Sequence, residues 1–253
     1  MLRKLLNIRA APSSDPASIP EGQRVYAIGD VHGCLHLLDE LLSAIDADDA
    51  RRSPAQTAIV LLGDLVDRGP DSAGVVERVI RLRKERPDVR FLLGNHEEVF
   101  LAALDGDLQA LRMFCRIGGR ETALSYGITA AAYESMDYPE LAAALAAAVP
   151  PEHRMFLEQG TEMEVIGDYA FVHAGIRPGV PLDQQRGSDL RWIRETFLDH
   201  RDVLEKMVVH GHSISDAVAF MPHRIGIDTG AYLTGRLTAL GLQGSETWHL
   251  DTA

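Results

Sequence analysis

A chain of 253 residues suits one large α/β domain, and its 46% hydrophobic content is too high for intrinsic disorder. With 25 Lys+Arg against 37 Asp+Glu the formal net charge is −12, which argues against nucleic acid or an anionic membrane as a bulk partner. The two cysteines, Cys34 and Cys115, build neither a disulfide framework nor a thiolate zinc site. Met1-Leu2-Arg3-Lys4-Leu5-Leu6 starts like a signal peptide, but Asn7 and Arg9 interrupt it, and no run reaches the length of a membrane span. A cytoplasmic protein with reduced thiols is expected.

Residues 10–22 are rich in Pro and Ser, and residues 1–22 read as a flexible lead-in to a single domain over residues 23–253. Residues 24–28 become apolar, like a buried strand, and end at Gly29-Asp30. Leu35, Leu38, Leu41, Leu42 and Ile45 then fall at helical spacing. The cycle repeats, with residues 57–62 strand-like, 72–86 helical, 89–93 strand-like and 97–104 helical. This alternation predicts right-handed crossovers and a parallel sheet, with functional groups beyond the carboxyl ends of its strands. Residues 105–158 are Ala-rich and predict a helical elaboration packed on the core. Strand-like segments follow at 161–166, 169–173, 206–210, 217–220, 224–228 and 236–242, and are expected to form a second, mixed or antiparallel sheet facing the first. The expected fold is α/β, a four-layer αββα sandwich of two mixed sheets.

The chemistry concentrates at strand ends. Gly29-Asp30-Val31-His32-Gly33, Gly63-Asp64-Leu65-Val66-Asp67-Arg68-Gly69 and Gly94-Asn95-His96-Glu97 lie about thirty residues apart, each after an apolar run. His173 in Val172-His173-Ala174-Gly175 and His212 in His210-Gly211-His212-Ser213 end two later strands. Asp30, His32, Asp64, Asn95, His173 and His212 are therefore candidate metal ligands. A mixed O/N set without thiolate suits manganese first, with iron or zinc as alternatives. Two nearby cations repel each other, so a bridging carboxylate is required, and Asp64 is placed to be it. A water shared by the two would be the nucleophile. His96 is placed as general acid, Asp67 as the carboxylate that orients it, and Arg68 as a planar fork for phosphoryl oxygens.

These segments, GDVHG, GDLVDRG, GNHE, HAG and GHS, resemble the metallophosphoesterases of the PPP phosphatase family over roughly residues 25–240. The resemblance implies the metallo-dependent phosphatase fold. It implies Asp30, His32 and Asp64 on one metal, and Asp64, Asn95, His173 and His212 on the other. A second phosphate clamp resembles Arg194 in Leu190-Arg191-Trp192-Ile193-Arg194, with Arg191 as its rival. Gly211-His212-Ser213 aligns with the Gly-His-Thr type segment of the shorter enzymes, which makes His212 the ligand and leaves His210 behind it. The implied activity is hydrolysis of phosphomonoesters on a phosphorylated protein or a small phosphoester, with Ser/Thr ahead of Tyr. The chain lacks the length and C-terminal loop of the eukaryotic branch, so no obligate regulatory subunit is expected. The alternative is a diadenosine tetraphosphate hydrolase, a branch that usually carries Ala where Asp67 stands and Asp where Glu97 stands.

Other residues read as structural. His36, His153, His200, His223 and His249 lack motif context, and Cys34 reads as a small buried apolar residue. Ile227-Asp228-Thr229-Gly230 matches half of an aspartic-protease pair, but that chemistry needs two such carboxylates, so a strand-turn role is expected. Arg81 to Arg86 reads as a solvated helix end.

Overall fold

The computed structural model describes residues 16–252. Strands β1 (Gln23–Ile28), β2 (Gln56–Leu61) and β3 (Val89–Phe91) alternate with helices α1 (Leu35–Asp49), α2 (Ser72–Glu85) and α3 (Asn95–Leu104). The strands run parallel, with Ile28 opposite Leu61 and Leu61 opposite Phe91. Their carboxyl ends therefore lie abreast, and the three motif loops leave from one edge. Asp71 caps α2 by accepting from the Gly74 N–H (2.8 Å), and Arg83 and Lys84 complement the dipole in its last turn.

The Ala-rich section folds into helices α4 (Leu108–Ile117), α5 (Gly119–Ser125), α6 (Ala130–Ser135), α7 (Tyr138–Ala148) and α8 (Pro151–Glu158). A reciprocal cap between Asp137 and Glu140 starts α7. Leu141 and Leu145 of α7, Phe114 of α4 and Phe156 of α8 join Phe100 of α3 in one apolar cluster on the helical face of the first sheet. The section is thus continuous with the core it was expected to cover.

The remaining elements are β4 (Met163–Ile166), β5 (Tyr169–Val172), α9 (Gly187–Trp192), α10 (Glu195–Leu198), β6 (Met207–His210), β7 (Ala219–Phe220), β8 (Arg224–Gly226), α11 (Ala231–Thr234), β9 (Thr238–Gln243) and β10 (Glu246–Asp251). The strands form two mixed five-stranded sheets, β10-β9-β1-β2-β3 and β4-β5-β6-β8-β7. Val25, Ala27, Val60, Leu62, Phe171, Val209, Ile225 and Leu240 pack between the sheets. Tyr26, Ile28, Ile59 and Leu61 alternate with them and face the helices of the first half. Val172 and Val208 pack on the far side of the second sheet against Leu190, Ile193 and Phe197. Burial on both faces explains why these strands read as continuous apolar runs.

One expectation is corrected. Residues 236–242 do not extend the second sheet, because β9 pairs antiparallel with β1 in the first (Val25 opposite Leu242, Ile28 opposite Ala239). Thr238 to Leu242 are buried, so this strand requires an interior position, and the free side of β1 supplies it. The hairpin through Gly244 (φ 52°) then adds β10, which was not expected because its Glu246, His249 and Asp251 are typical of an edge.

Residues 1–15 of the expected lead-in lie outside the described residues. Ile19 is only 2% exposed, its N–H donates to the Gly244 carbonyl (2.8 Å), and Asp168 accepts from the Ser18 N–H (3.1 Å). Among the described residues no helix is long and apolar enough to cross a membrane.

Candidate metal centre

In the second sheet β5, β6 and β8 are also mutually parallel. Residues from the carboxyl ends of strands in both sheets converge: Asp30 and His32 after β1, Asp64 after β2, Asn95 after β3, His173 after β5 and His212 after β6. All six are 7% exposed or less.

The backbone here is strained. Among the described residues, the non-glycine residues with positive φ are His32 (45°), Asp64 (50°), Asp67 (72°), Arg68 (69°) and His212 (63°). All five are candidate site residues, and each such conformation costs on the order of 1–3 kcal/mol that the surroundings must offset. Glu97, fully buried, accepts from the N–H groups of Asp64 (2.8 Å), Leu65 (2.7 Å), Val66 (3.2 Å) and Gly94 (3.0 Å). One carboxylate thus clamps two of the motif loops together. At Gly63 (φ 99°) a Cβ would stand 2.7 Å from the Gly94 nitrogen and 2.9 Å from His173 Nδ1, so the close approach of these loops requires glycine.

Hydrogen bonds to carbonyls fix two imidazole tautomers. His32 Nδ1–H donates to the Val66 carbonyl and His173 Nδ1–H to the Leu62 carbonyl, both at 2.8 Å, so each presents Nε2 to the centre. Asp64 Oδ2 lies 3.6 Å from His32 Nε2, 3.4 Å from His173 Nε2 and 3.8 Å from His96 Nε2. His173 Nε2 is 2.9 Å from Asn95 Oδ1 and 3.2 Å from His212 Nδ1. Lone-pair acceptors therefore crowd together, and only a proton on His173 Nε2 or on His212 Nδ1 would place a donor among them. Burial opposes charging His173, but Asp64 and Asp30 outweigh it and raise the His173 pKa to about 10. Buried carboxylate, amide and imidazole lone pairs brought this close together fit a divalent cation, which would face all of them at once. Asp64 belongs to both sets of converging donors, one with His32 and His96 and one with His173 and His212. Asp30 accepts from the His212 N–H (3.0 Å) and belongs to neither set, and burial raises its pKa well above the usual carboxylate range.

Beside this centre, His96 Nδ1–H donates to Asp67 Oδ2 (2.7 Å), and Asp67 Oδ1 accepts from the Thr122 hydroxyl (2.7 Å). Burial works against charging His96, but Asp64 and Asp67 raise its pKa nonetheless. Arg68 donates to Nε2 of His32 and of His96 (both 3.0 Å), and its guanidinium lies 4.8 Å from the Tyr232 ring centroid. Arg191 is engaged by Glu98 (2.8 Å) and by Glu162. Arg194 is exposed, with Nη1 3.4 Å from the Ser213 hydroxyl beside His212. His210 is buried beneath the His212 turn, donating from Nδ1 to the Gly211 carbonyl (2.9 Å) and accepting from Arg224 (3.2 Å), and burial pushes its pKa down to about 4.

Glu97, Thr122, Tyr232 and Asp228 were not assigned site roles from the sequence. Glu97 stands inside a motif, but its four backbone partners are visible only in three dimensions. Thr122 comes from α5, in the helical elaboration, and nothing in its local sequence marks it. His153 and Cys34 are structural as expected: His153 bonds Tyr126 (3.0 Å) and Glu77 (3.1 Å), and the Cys34 thiol is 3% exposed, with burial pushing its pKa up to about 11.

Two sheets with acid, amide and imidazole groups converging beyond their parallel strand ends define a metallophosphoesterase. The sequence profile of the calcineurin-like phosphoesterases matches residues 23–233, and the chain belongs to that family. It is 26% identical to the asymmetrical bis(5'-nucleosyl)-tetraphosphatase PrpE of Anoxybacillus flavithermus, over 87% of this chain and 91% of that protein. It is 45% identical to the symmetrical bis(5'-nucleosyl)-tetraphosphatase of Acidovorax sp. over a shorter stretch, 32% of this chain and 26% of that relative's length. Among solved structures, a candidate diadenosine tetraphosphatase superposes with TM-score 0.62 at 22% identity, covering 94% of this chain and 99% of that one. The cold-active protein-tyrosine phosphatase of a psychrophilic Shewanella superposes with TM-score 0.54 at 18% identity, covering 92% and 83%. These two likenesses bear on the fold alone.

Proposed function

We propose that the chain hydrolyses bis(5'-nucleosyl) tetraphosphates, splitting them unequally into a nucleoside triphosphate and a nucleoside monophosphate. The observation that carries this reading is the alignment with the asymmetrical enzyme, which runs through nearly the whole of both chains. The relatives' names therefore favour the reading held as the alternative from sequence, over the phosphoprotein substrate suggested by Asp67 and Glu97.

Asp30, His32, Asp64, Asn95, His173 and His212 would hold two divalent cations. When bound, these would supply Lewis-acid charge to the phosphoryl oxygens and acidify a water. The protein's own groups then do the following. Arg68 turns its fork from His32 and His96 to the phosphoryl oxygens, and exposed Arg194 meets the same charge from the other motif loop. His96, its Nδ1–H held by Asp67, directs Nε2 toward the centre; in the imidazolium form that Asp64 and Asp67 favour, it can pass the Nε2 proton to the departing oxygen and stay neutral with its proton on Nδ1. Together these groups offset the acidic surface at the point where a polyanion must bind.

A second reading, hydrolysis of phosphomonoesters, is favoured by the Asp67–His96 pair. A serine alkoxide departs only with a proton, whereas a departing polyphosphate is already a weak base. The two readings separate by leaving group. We compare kcat/KM under manganese for diadenosine tetraphosphate, a phosphoserine peptide and an aryl phosphate, with wild type and His96→Asn. The proposal expects diadenosine tetraphosphate to lead, to yield ATP and AMP, and to lose less than about tenfold in His96→Asn. General-acid loss for an alkyl phosphate is about a hundredfold or more. A phosphopeptide turned over faster than the dinucleotide refutes the proposal and leaves the second reading.

A further inference from the structure

Six parallel strands point their carboxyl ends at the candidate centre, three from each sheet. Five deliver a candidate ligand on leaving the sheet. The sixth, β8, leaves through Ile227 and delivers Asp228, which the sequence reads as part of a turn. The turn role is present: Asp228 Oδ1 accepts from the Gly230 N–H at 2.9 Å. It uses only half of the carboxylate. Asp228 is 2% exposed, and its Oδ2 is buried without a hydrogen-bond partner among the described residues. An orphaned carboxylate oxygen in a protein interior is costly and calls for an explanation.

Its surroundings supply one. Ile227 N–H donates to the His210 carbonyl (2.9 Å), which holds this strand end against the one carrying His212. At Gly29 a Cβ would stand 2.7 Å from the Ile227 carbonyl oxygen and 3.7 Å from Asp228 Cα, so Asp228 leaves the sheet directly beside Asp30. Asp30, Asp64 and Asp228 thus place three buried carboxylates around the candidate centre.

We propose that Asp228 is a positioning residue of that centre, its free carboxylate oxygen serving the cation beside Asp30 or the water around that cation. The inference rests on the metal reading above, and it adds a residue that no turn requires to be ionised. Asparagine can keep the Gly230 cap while removing the charge; alanine removes both. Calorimetric titration with Mn2+ and thermal melting of the metal-free protein are measured for wild type, Asp228→Asn and Asp228→Ala. The metal-free Asp228→Asn is expected to melt no lower than wild type, while one of its two Mn2+ binding steps weakens by about tenfold or more. Asp228→Ala is expected to melt lower than both. Wild-type affinity at both steps in Asp228→Asn overturns the proposal and leaves a turn cap only. Melting of Asp228→Asn as low as Asp228→Ala overturns it too. Failure of wild type itself to take up Mn2+ would instead remove the metal reading, and this inference with it.

Discussion

Replacing Glu97 by Gln tests whether one carboxylate holds the motif loops in their strained conformation. Each oxygen of Glu97 accepts two backbone N–H groups, Oε2 from Asp64 and Gly94 and Oε1 from Leu65 and Val66, in a fully buried position. A glutamine keeps one acceptor oxygen and turns an NH2 group on the other pair, leaving two N–H donors unsatisfied and opposed. At about 1.5–3 kcal/mol for each hydrogen bond to a charged group, the loss is on the order of 3–6 kcal/mol. The amide also relieves the burial and the Asp64 repulsion that push the Glu97 carboxyl up to about 7, which offsets about half of that loss at pH 8 and leaves a net destabilisation of about 1–3 kcal/mol, a melting shift of about 2–12 °C at this size. The assay is urea denaturation of the metal-free protein at pH 8, above the value of about 7 to which burial and the Asp64 charge push the Glu97 carboxyl. A loss below about 1 kcal/mol with an unchanged denaturant slope would refute the reasoning, because the loops would then hold their shape without the clamp.

Thr122→Val removes the hydroxyl that donates to Asp67 Oδ1 (2.7 Å) and accepts from the Asp67 N–H (2.8 Å). We expect kcat on an alkyl phosphate to fall by about tenfold with metal content unchanged, checked by steady-state kinetics beside elemental analysis. Asp48 accepts from the Tyr26 hydroxyl (2.6 Å), Arg52 (2.7 Å) and the Trp248 indole (2.9 Å). Partial burial raises its pKa, but these donors outweigh it and bring it below the usual value. Its stabilising contribution is therefore complete above the unfolded-state pKa and disappears as pH falls through the lower folded value. Asp48→Asn should lose about 1–2 kcal/mol at pH 7 and show a flatter acid limb in denaturation between pH 2 and 5. An acid limb as steep as that of wild type would contradict the assignment.

Much of this molecule is readable in its sequence because apolar periodicity and local motifs carry it. The runs at residues 24–28, 57–62 and 89–93 are buried on both faces, and the motif after each must then leave from one edge. The destination of residues 236–242 is not local information. Nothing in Thr238–Gln243 says that the strand crosses back to β1 and not onward beside β8. The site divides similarly. Asp30, His32, Asp64, Asn95, His173 and His212 announce themselves as polar residues at apolar strand ends. Thr122, by contrast, is an ordinary helix residue until the fold sets it against Asp67, fifty-five positions earlier. The left-handed backbone at His32, Asp64, Asp67, Arg68 and His212 cannot be read from the side chains that occupy it, since none is glycine. Asp228 is the instructive case: its triplet reads correctly as a turn, and the turn accounts for one of its oxygens.

The most direct test of the binuclear reading is the metal content of purified wild type and Asp64→Asn after loading with Mn2+ and removal of free metal. Asp64 Oδ2 lies 3.4–3.8 Å from imidazole nitrogens of both donor sets, so a single substitution should disturb both cations. Two equivalents per wild-type chain, with neither retained tightly by Asp64→Asn, is the predicted result. One equivalent or none in wild type, or two in Asp64→Asn, would contradict the account.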